Sequence, residues 1–246
     1  MANILYNLPV VKSLKQKFRE KRFQFFLDML EKVGNDRTIR ILDIGGTQLF
    51  WEKMNFLDKR NIHITLLNLQ KYETKNKNFT SIIGDATNLS QFKDKEFDIV
   101  FSNSVIEHLY TIENQKKMAN EARRVGKCYF IQTPNHYFPV EPHWLFPFFQ
   151  FLPKKTRIYL TSHFPLGSFP KAPSKEQAAR WVNEVRLLTG KEMKALFPEG
   201  KVYNERFLGM TKSITMYYFH EKAGGTISDV TKKSGDRIPD ASTTIQ

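Results

Sequence analysis

The chain has one cysteine, Cys128. That excludes an internal disulfide framework and any cysteine-rich zinc site, and it is compatible with a reducing compartment. Long apolar runs are missing too. A membrane-spanning helix needs about 18 uninterrupted apolar residues, and the most apolar stretch, Trp144 to Leu152, is short and holds Pro147 and Gln150. No small-residue cleavage site follows the patchily apolar segment Met1 to Val11, so no targeting signal is expected. Glycine (12) and proline (11) stay near ordinary usage, which rules out collagen-like and low-complexity classes. Acidic residues are the scarce charge: 25 Asp and Glu face 38 Lys and Arg, a net +13. That balance points either to a polyanionic neighbour (nucleic acid, an anionic membrane surface, a phosphate-bearing substrate) or to a basic surface with no such partner. What is present is enough for a core: 246 residues, 41% of them hydrophobic, the size of one full domain with room for an insertion.

Residues 4–34 predict a helix, with Phe18, Phe23, Phe26, Leu27, Leu30 and Val33 at near-helical spacing and lysines and arginines crowding its first half. Strands are expected at 40–44, 62–68, 79–84, 97–101 and 127–132, with helices at 49–57, from the turn after Phe101 to Tyr110, and at 111–125. Strands alternating with helices predict an α/β, doubly wound, Rossmann-like and mostly parallel sheet with right-handed crossovers. Residues 134–186 break that rhythm with aromatics among prolines and read as an insertion on the substrate side, with a helix at 174–188. A helix at 190–197 and an antiparallel pair, 201–207 and 213–220, close the domain. Residues 1–221 thus form the domain, residues 1–36 its basic N-terminal helix, and 222–246 a flexible tail.

In such a sheet, ligands bind at the carboxyl ends of the strands, where strand order reverses. Polar and glycine residues gather there: Asp43, Gly45 and Gly46 with Thr47 beside them, Asn68, Asp85, and Ser102-Asn103-Ser104. Glycines let a ligand lie against the backbone, and a following helix N-terminus offers unpaired amides. The stricter G-x-G-x-x-G pattern is absent, because Gly45-Gly46 runs into Thr47-Gln48-Leu49-Phe50. That disfavours a nicotinamide-dependent oxidoreductase.

The segments Ile41–Gly46, Gly84-Asp85-Ala86 and Phe97–Leu109, in this order and spacing, resemble the class I S-adenosylmethionine-dependent methyltransferases, and within them the type 11, ubiquinone-biosynthesis-like branch. The resemblance covers about residues 38–135 and implies a seven-stranded sheet, methyl transfer, and S-adenosyl-L-methionine as cofactor. It implies that Asp43 meets the methionine ammonium group, Gly45 and Gly46 line the methionine and ribose side, and Leu69 packs on adenine. Asp85 would accept from the adenine amino group, the Ala86 amide would donate to the ring, and Ser102 and Asn103 would contact the methionine end. Asn68 departs from the pattern, since the family has Asp or Glu there to grip the ribose hydroxyls. Simpler readings stand beside these: Asp43 as a helix cap, Asp85 as a turn residue, Asn68 as a solvated loop residue, and Cys128 as a buried small hydrophobe.

On the acceptor side, His108, His136 and His143 are the candidate catalytic groups, as bases for a hydroxyl acceptor; the alternative is that His136 and His143 order the insertion. Val105–Leu109 also resembles a metal-binding Glu-x-x-Glu-His-x-His pattern of small-RNA 2′-O-methyltransferases. Here Ser104 and Tyr110 replace two of its ligands, Glu107 and His108 alone are too few, and no metal is expected. The aromatic insertion reads as a pocket wall, as a membrane-interface segment flanked by Lys154, Lys155 and Arg157, or as a second buried core. The expected function is O-methylation of a small molecule or saccharide, lipid-linked in one version, by a cytoplasmic protein that in that version touches the inner face of a membrane. The rivals are an RNA methyltransferase, which the charge favours, and a non-catalytic methyltransferase-like binding protein, which Asn68 favours.

Overall fold

The computed structural model describes residues 9–33, 37–54 and 61–219. The expected tail at 222–246, the start of the first helix and the end of the one at 49–57 lie outside them. The elements are α1 (Pro9–Leu30), β1 (Ile39–Ile44), α2 (Gln48–Lys53), β2 (Ile62–Asn68), β3 (Phe79–Ile83), β4 (Phe97–Asn103), α3 (Ile112–Val125) and β5 (Gly126–Pro134). The insertion follows with a small hairpin, β6 (Val140–Glu141) and β7 (Phe146–Pro147), and helices α4 (Lys154–His163) and α5 (Lys175–Glu184). Then come α6 (Gly190–Leu196), β8 (Lys201–Phe207) and β9 (Met210–Tyr218).

The seven-stranded sheet runs in the order β3-β2-β1-β4-β5-β9-β8. Strands β1 to β5 are parallel, and β9 is antiparallel to both β5 and β8. Strand order reverses between β1 and β4, where Asp43 sits opposite Phe101 and Ile44 opposite Ser102. Both faces are covered, as near-continuous apolar parallel strands require. On one face α1 lays Phe23, Phe26 and Leu30 against Ile41, Ile64, Phe101 and Phe130; on the other, α3 and α6 pack Met118, Ala122, Met193 and Leu196 over Leu42, Val100 and Ile131. Two crossovers, 69–78 and 84–96, carry no helix. No helix among the described residues is long and apolar enough to cross a membrane.

Several boundaries differ from the expectation for one reason: pairing overrides local propensity. β4 extends through Ser102 and Asn103, polar residues that read as a turn, because both pair with β5. β9 starts at Met210, because the hairpin turn is only Leu208-Gly209, with Gly209 at φ +78°. The helix expected over 174–188 ends at Glu184, and Leu188 instead bridges to Asn135.

At the amino end of β4, Asp98 ties three strands together. Its carboxylate accepts from both Arg37 Nη atoms (2.7 and 2.5 Å), from the Arg40 amide (2.9 Å) and from Lys127 Nζ (3.0 Å). Burial alone would raise its pKa, but these donors outweigh it and hold the group at about 2. A depressed carboxyl pKa contributes stability that is present above the unfolded value and lost as pH falls through the folded one. Arg37 and Lys127 are half exposed, so we expect Asp98→Asn to cost about 1–2 kcal/mol at neutral pH. The gap to wild type in urea unfolding should close toward about pH 2. A gap that persists in acid would show that the charge is not the source.

Candidate functional site

The turn leaving β1 is built around a buried carboxylate. Asp43 is 1% exposed, and its Oδ2 accepts from Trp51 Nε1 at 2.6 Å. Burial raises its pKa to about 7, against the pull of the indole hydrogen bond. The two glycines answer to separate constraints. Gly45 has φ +77°, and a Cβ there would meet Val105 Cγ2 at 2.5 Å; a Cβ on Gly46 would lie 1.6 Å from Asp43 Oδ2. Thr47 caps α2, its hydroxyl accepting from the Phe50 amide. The cap is therefore Thr47 and not Asp43, whose carboxylate turns to the indole.

Where β1 and β4 part, a cavity of about 170 Å³ opens. Asp43, Gly45, Gly46 and Thr47 line it from the turn, Phe50 from α2, and Phe101 and Asn103 from β4. Sequence reasoning missed both phenylalanines. For Phe101 a signal existed: in a parallel sheet it falls in register with Asp43.

The other expected cofactor residues, Asn68, Leu69, Asp85, Ala86 and Ser102, do not line this cavity, and the polar ones have their side chains engaged elsewhere. Asn68 donates from Nδ2 to the Gly46 carbonyl at 2.9 Å. A carboxylate could not make that bond, which is a physical reason for an amide at this position. Ser102 is buried and donates to the Ile44 carbonyl at 3.2 Å, so its hydroxyl ties β4 to β1. Asp85 Oδ1 accepts from both the amide and the hydroxyl of Thr87 at 2.8 Å, which is the turn reading of that residue. Ala86 packs into the core, whereas Leu69 and Ile83, at the ends of β2 and β3, are 80% and 64% exposed.

On the acceptor side the insertion folds around its own small core of Trp144, Phe149, Leu166 and Val182, so the second-core reading holds for those residues. Lys154, Lys155 and Arg157 belong to α4, a helix the sequence reading did not anticipate. A cavity of about 500 Å³ lies within the insertion, against Tyr110 and the start of α6, lined by His136, Tyr137, Glu141, Trp144, Arg157 and Arg186 among others. Burial lowers the pKa of His136.

His108 and His143, 35 residues apart in the chain, meet with Nε2 atoms 3.2 Å apart. Glu141 is buried; its Oε1 bonds His143 Nδ1 at 2.7 Å, and its Oε2 accepts from the His143 and Trp144 amides. Glu107, 0% exposed, accepts from the Thr133 hydroxyl at 3.0 Å through Oε2, while its buried Oε1 has no partner. Burial raises the Glu107 pKa to about 7. Burial, and secondarily the charge of His143, lowers that of His108 to about 4.

Residues 42–128 match the type 11 family model described as a methyltransferase domain. Over 56 residues the chain is 36% identical to proteins of Mycobacterium tuberculosis described as uncharacterised; the match spans 23% of this chain and 19% of theirs. Solved structures similar to this one include a SAM dependent methyltransferase from Aquifex aeolicus, with 12% identity, TM-score 0.44, and 77% of this chain against 86% of that one covered. Another is the Haemonchus contortus phosphoethanolamine N-methyltransferase 2 in complex with S-adenosyl-L-methionine, with 17% identity, TM-score 0.45, and coverage of 72% and 37%. Residues 42–128, the stretch from β1 into β5, thus resemble the methyltransferase domains that this family model describes.

Proposed function

We propose that this protein transfers the methyl group of S-adenosylmethionine to a hydroxyl oxygen of a small molecule or saccharide. The observation that carries the reading is the cavity at the reversal of strand order, where Asp43, the two glycines and Asn103 come together. The donor's amino-acid end would lie in this cavity, its ammonium against Asp43 as a charge-assisted pair. Its adenine would rest on the apolar platform of Leu69 and Ile83, whose exposure is otherwise unfavourable, with Asp85 and the Ala86 amide at the rim.

The acceptor would occupy the larger cavity. Aromatic faces (Tyr137, Trp144) among charged groups (Glu141, Arg157, Arg186) suit a polyhydroxylated ring. His136 lines that cavity, His143 bonds Glu141, which also lines it, and His108 meets the far nitrogen of His143; these are the groups proposed to meet the reacting hydroxyl. Transfer is an in-line displacement, so holding the two substrates in line supplies most of the rate. The exposed aromatics Tyr137, Phe148 and Phe151, close to Lys154 and Lys155, favour an acceptor carried on an apolar or anionic surface.

The test is a calorimetric titration of S-adenosylmethionine into the full chain, with S-adenosylhomocysteine as competitor, followed by an acceptor screen. We expect one saturable site per chain, weakened severalfold by Asp85→Ala. A wild-type chain that binds neither ligand would overturn the reading in favour of a non-catalytic binding protein.

A further inference from the structure

We infer that Glu107, His108 and His143 form a binding site for one divalent transition-metal cation, with Glu141 as the residue that orients His143. One ligand atom from each of the three lies within 4.8 Å of the others. The two imidazole Nε2 atoms are 3.2 Å apart. Two nitrogens held about 2.0–2.1 Å from a tetrahedral ion are separated by about 3.3 Å, so the pair already has the spacing of two ligands. Without an ion, one of these rings must donate to the other; with one, both present lone pairs.

The carboxylate supplies an independent argument. Glu107 is fully buried, and its Oε1 finds no hydrogen-bond partner. An orphaned carboxylate oxygen in a dry interior is costly, and buried charges are ordinarily paired or metal-bound. Arg22 is close enough for its charge to be felt by Glu107, but its guanidinium bonds go to Glu205 (3.2 Å) and Ser213 (3.4 Å). A cation among the three side chains would satisfy the oxygen directly.

Support behind the ligands has the arrangement such sites need. His143 Nδ1 bonds Glu141 Oε1, and Glu141 is itself fixed by two backbone amides of its own loop. A carboxylate on Nδ1 fixes the tautomer in which Nε2 carries the ring's lone pair. Two imidazoles and one carboxylate suit zinc, iron(II) or manganese better than calcium or magnesium, and leave coordination positions open.

The role of the ion rests on the methyltransferase reading; its binding does not. The site follows β4 by four residues, Asn103 to Glu107, on the same carboxyl edge as the donor cavity. The acceptor hydroxyl oxygen would take an open position, where a divalent cation lowers its pKa. Its proton leaves to water, an oxygen lone pair forms the bond to the methyl carbon, and the carbon–sulfur bond breaks with its electron pair returning to sulfur. The earlier expectation of no metal rested on counting Glu107 and His108 alone; the insertion delivers the third ligand.

The experiment uses full-length protein stripped with chelator, then titrated with zinc, manganese or cobalt(II) salts by calorimetry and, for cobalt, by visible absorption. We expect one ion per chain in wild type, with affinity reduced on the order of 100-fold in His143→Ala and in Glu107→Gln, and by about 10- to 100-fold in Glu141→Gln. The exposed His163, stacked on Tyr159 away from the cluster, controls for adventitious surface binding, and His163→Ala should bind as wild type does. Because Glu107→Gln disturbs a buried position, circular dichroism and the half-exposed His108→Gln provide a second route to the same loss. Wild-type protein that takes up no ion, or uptake indifferent to all four cluster variants, would overturn the site. S-adenosylmethionine titrated into the same stripped protein separates the two readings: donor binding without an ion site sinks only this inference, and an ion site without donor binding sinks only the transferase.

Discussion

Gly46→Ala is expected to weaken S-adenosylmethionine binding by more than 100-fold. The added Cβ would sit 1.6 Å from Asp43 Oδ2 and 2.1 Å from its Cγ, well inside any tolerable contact. The carboxylate has little freedom to retreat. It is anchored by the Trp51 indole at 2.6 Å, and its backbone is held between Leu66 on β2 and Phe101 on β4. Either the Asp43–Trp51 bond breaks or the turn opens, and both reshape the cavity that Asp43, Gly46 and Phe101 line. A hundredfold loss corresponds to about 2.7 kcal/mol, comparable to leaving one buried polar group unpaired. Gly190→Ala is the matched control, since its Cβ would come no closer than 3.8 Å to Ile214. Calorimetry alongside circular dichroism checks the result; affinity within a few-fold of wild type would mean that the turn does not touch the donor.

The second large effect is a bell-shaped dependence of donor affinity on pH, with its acid limb set by Asp43. Burial raises this carboxyl to about 7, so just below neutrality much of it is protonated and cannot pair with an ammonium group. Each pH unit below the pKa lowers the ionised fraction about tenfold. Binding should therefore weaken about five- to sixfold between pH 7 and pH 6 and release a proton, visible as a dependence of the measured heat on buffer ionisation enthalpy. Above about pH 8 the donor's own α-amino group loses its proton, and affinity falls again. Asp43→Asn should be weak throughout and lack the acid limb. A wild-type profile flat from pH 6 to 7 would remove Asp43 from contact with the ammonium. The same raised pKa predicts the sign of its stability effect without ligand: the contribution is greatest below the unfolded carboxyl value and is lost as pH rises through about 7.

Much of the scaffold was legible in the chain. The β2 segment Ile62–Asn68 and the core face of α1, with Phe23, Phe26 and Leu30, follow from periodicities that reflect only which side of an element meets water. Gly45 and Gly46 were legible as a turn after an apolar strand, and Thr47 lay among the expected site residues. Less legible was what each polar side chain does. Asn68 stood out as a departure from the acidic residue that the methyltransferase resemblance implies, but only the folded turn shows its amide donating to the Gly46 carbonyl. Asp85 and Ser102 were placed at the right strand ends, yet their side chains answer first to Thr87 and to Ile44.

The tertiary structure alone decided which distant residues meet. That His143 reaches His108, and that Glu141 holds it there, depends on how an insertion of mixed aromatics and prolines packs on its own core of Trp144, Phe149 and Val182. That Phe101 faces Asp43 depends on β4 pairing with β1 across more than fifty residues of chain. The physical division is one of range. Strand alternation, helix faces and glycine turns are set by residues a few positions apart, so they can be read from the chain directly. Loop-to-loop contacts are set by strand order and core packing, which the whole sequence determines together and no short stretch of it displays.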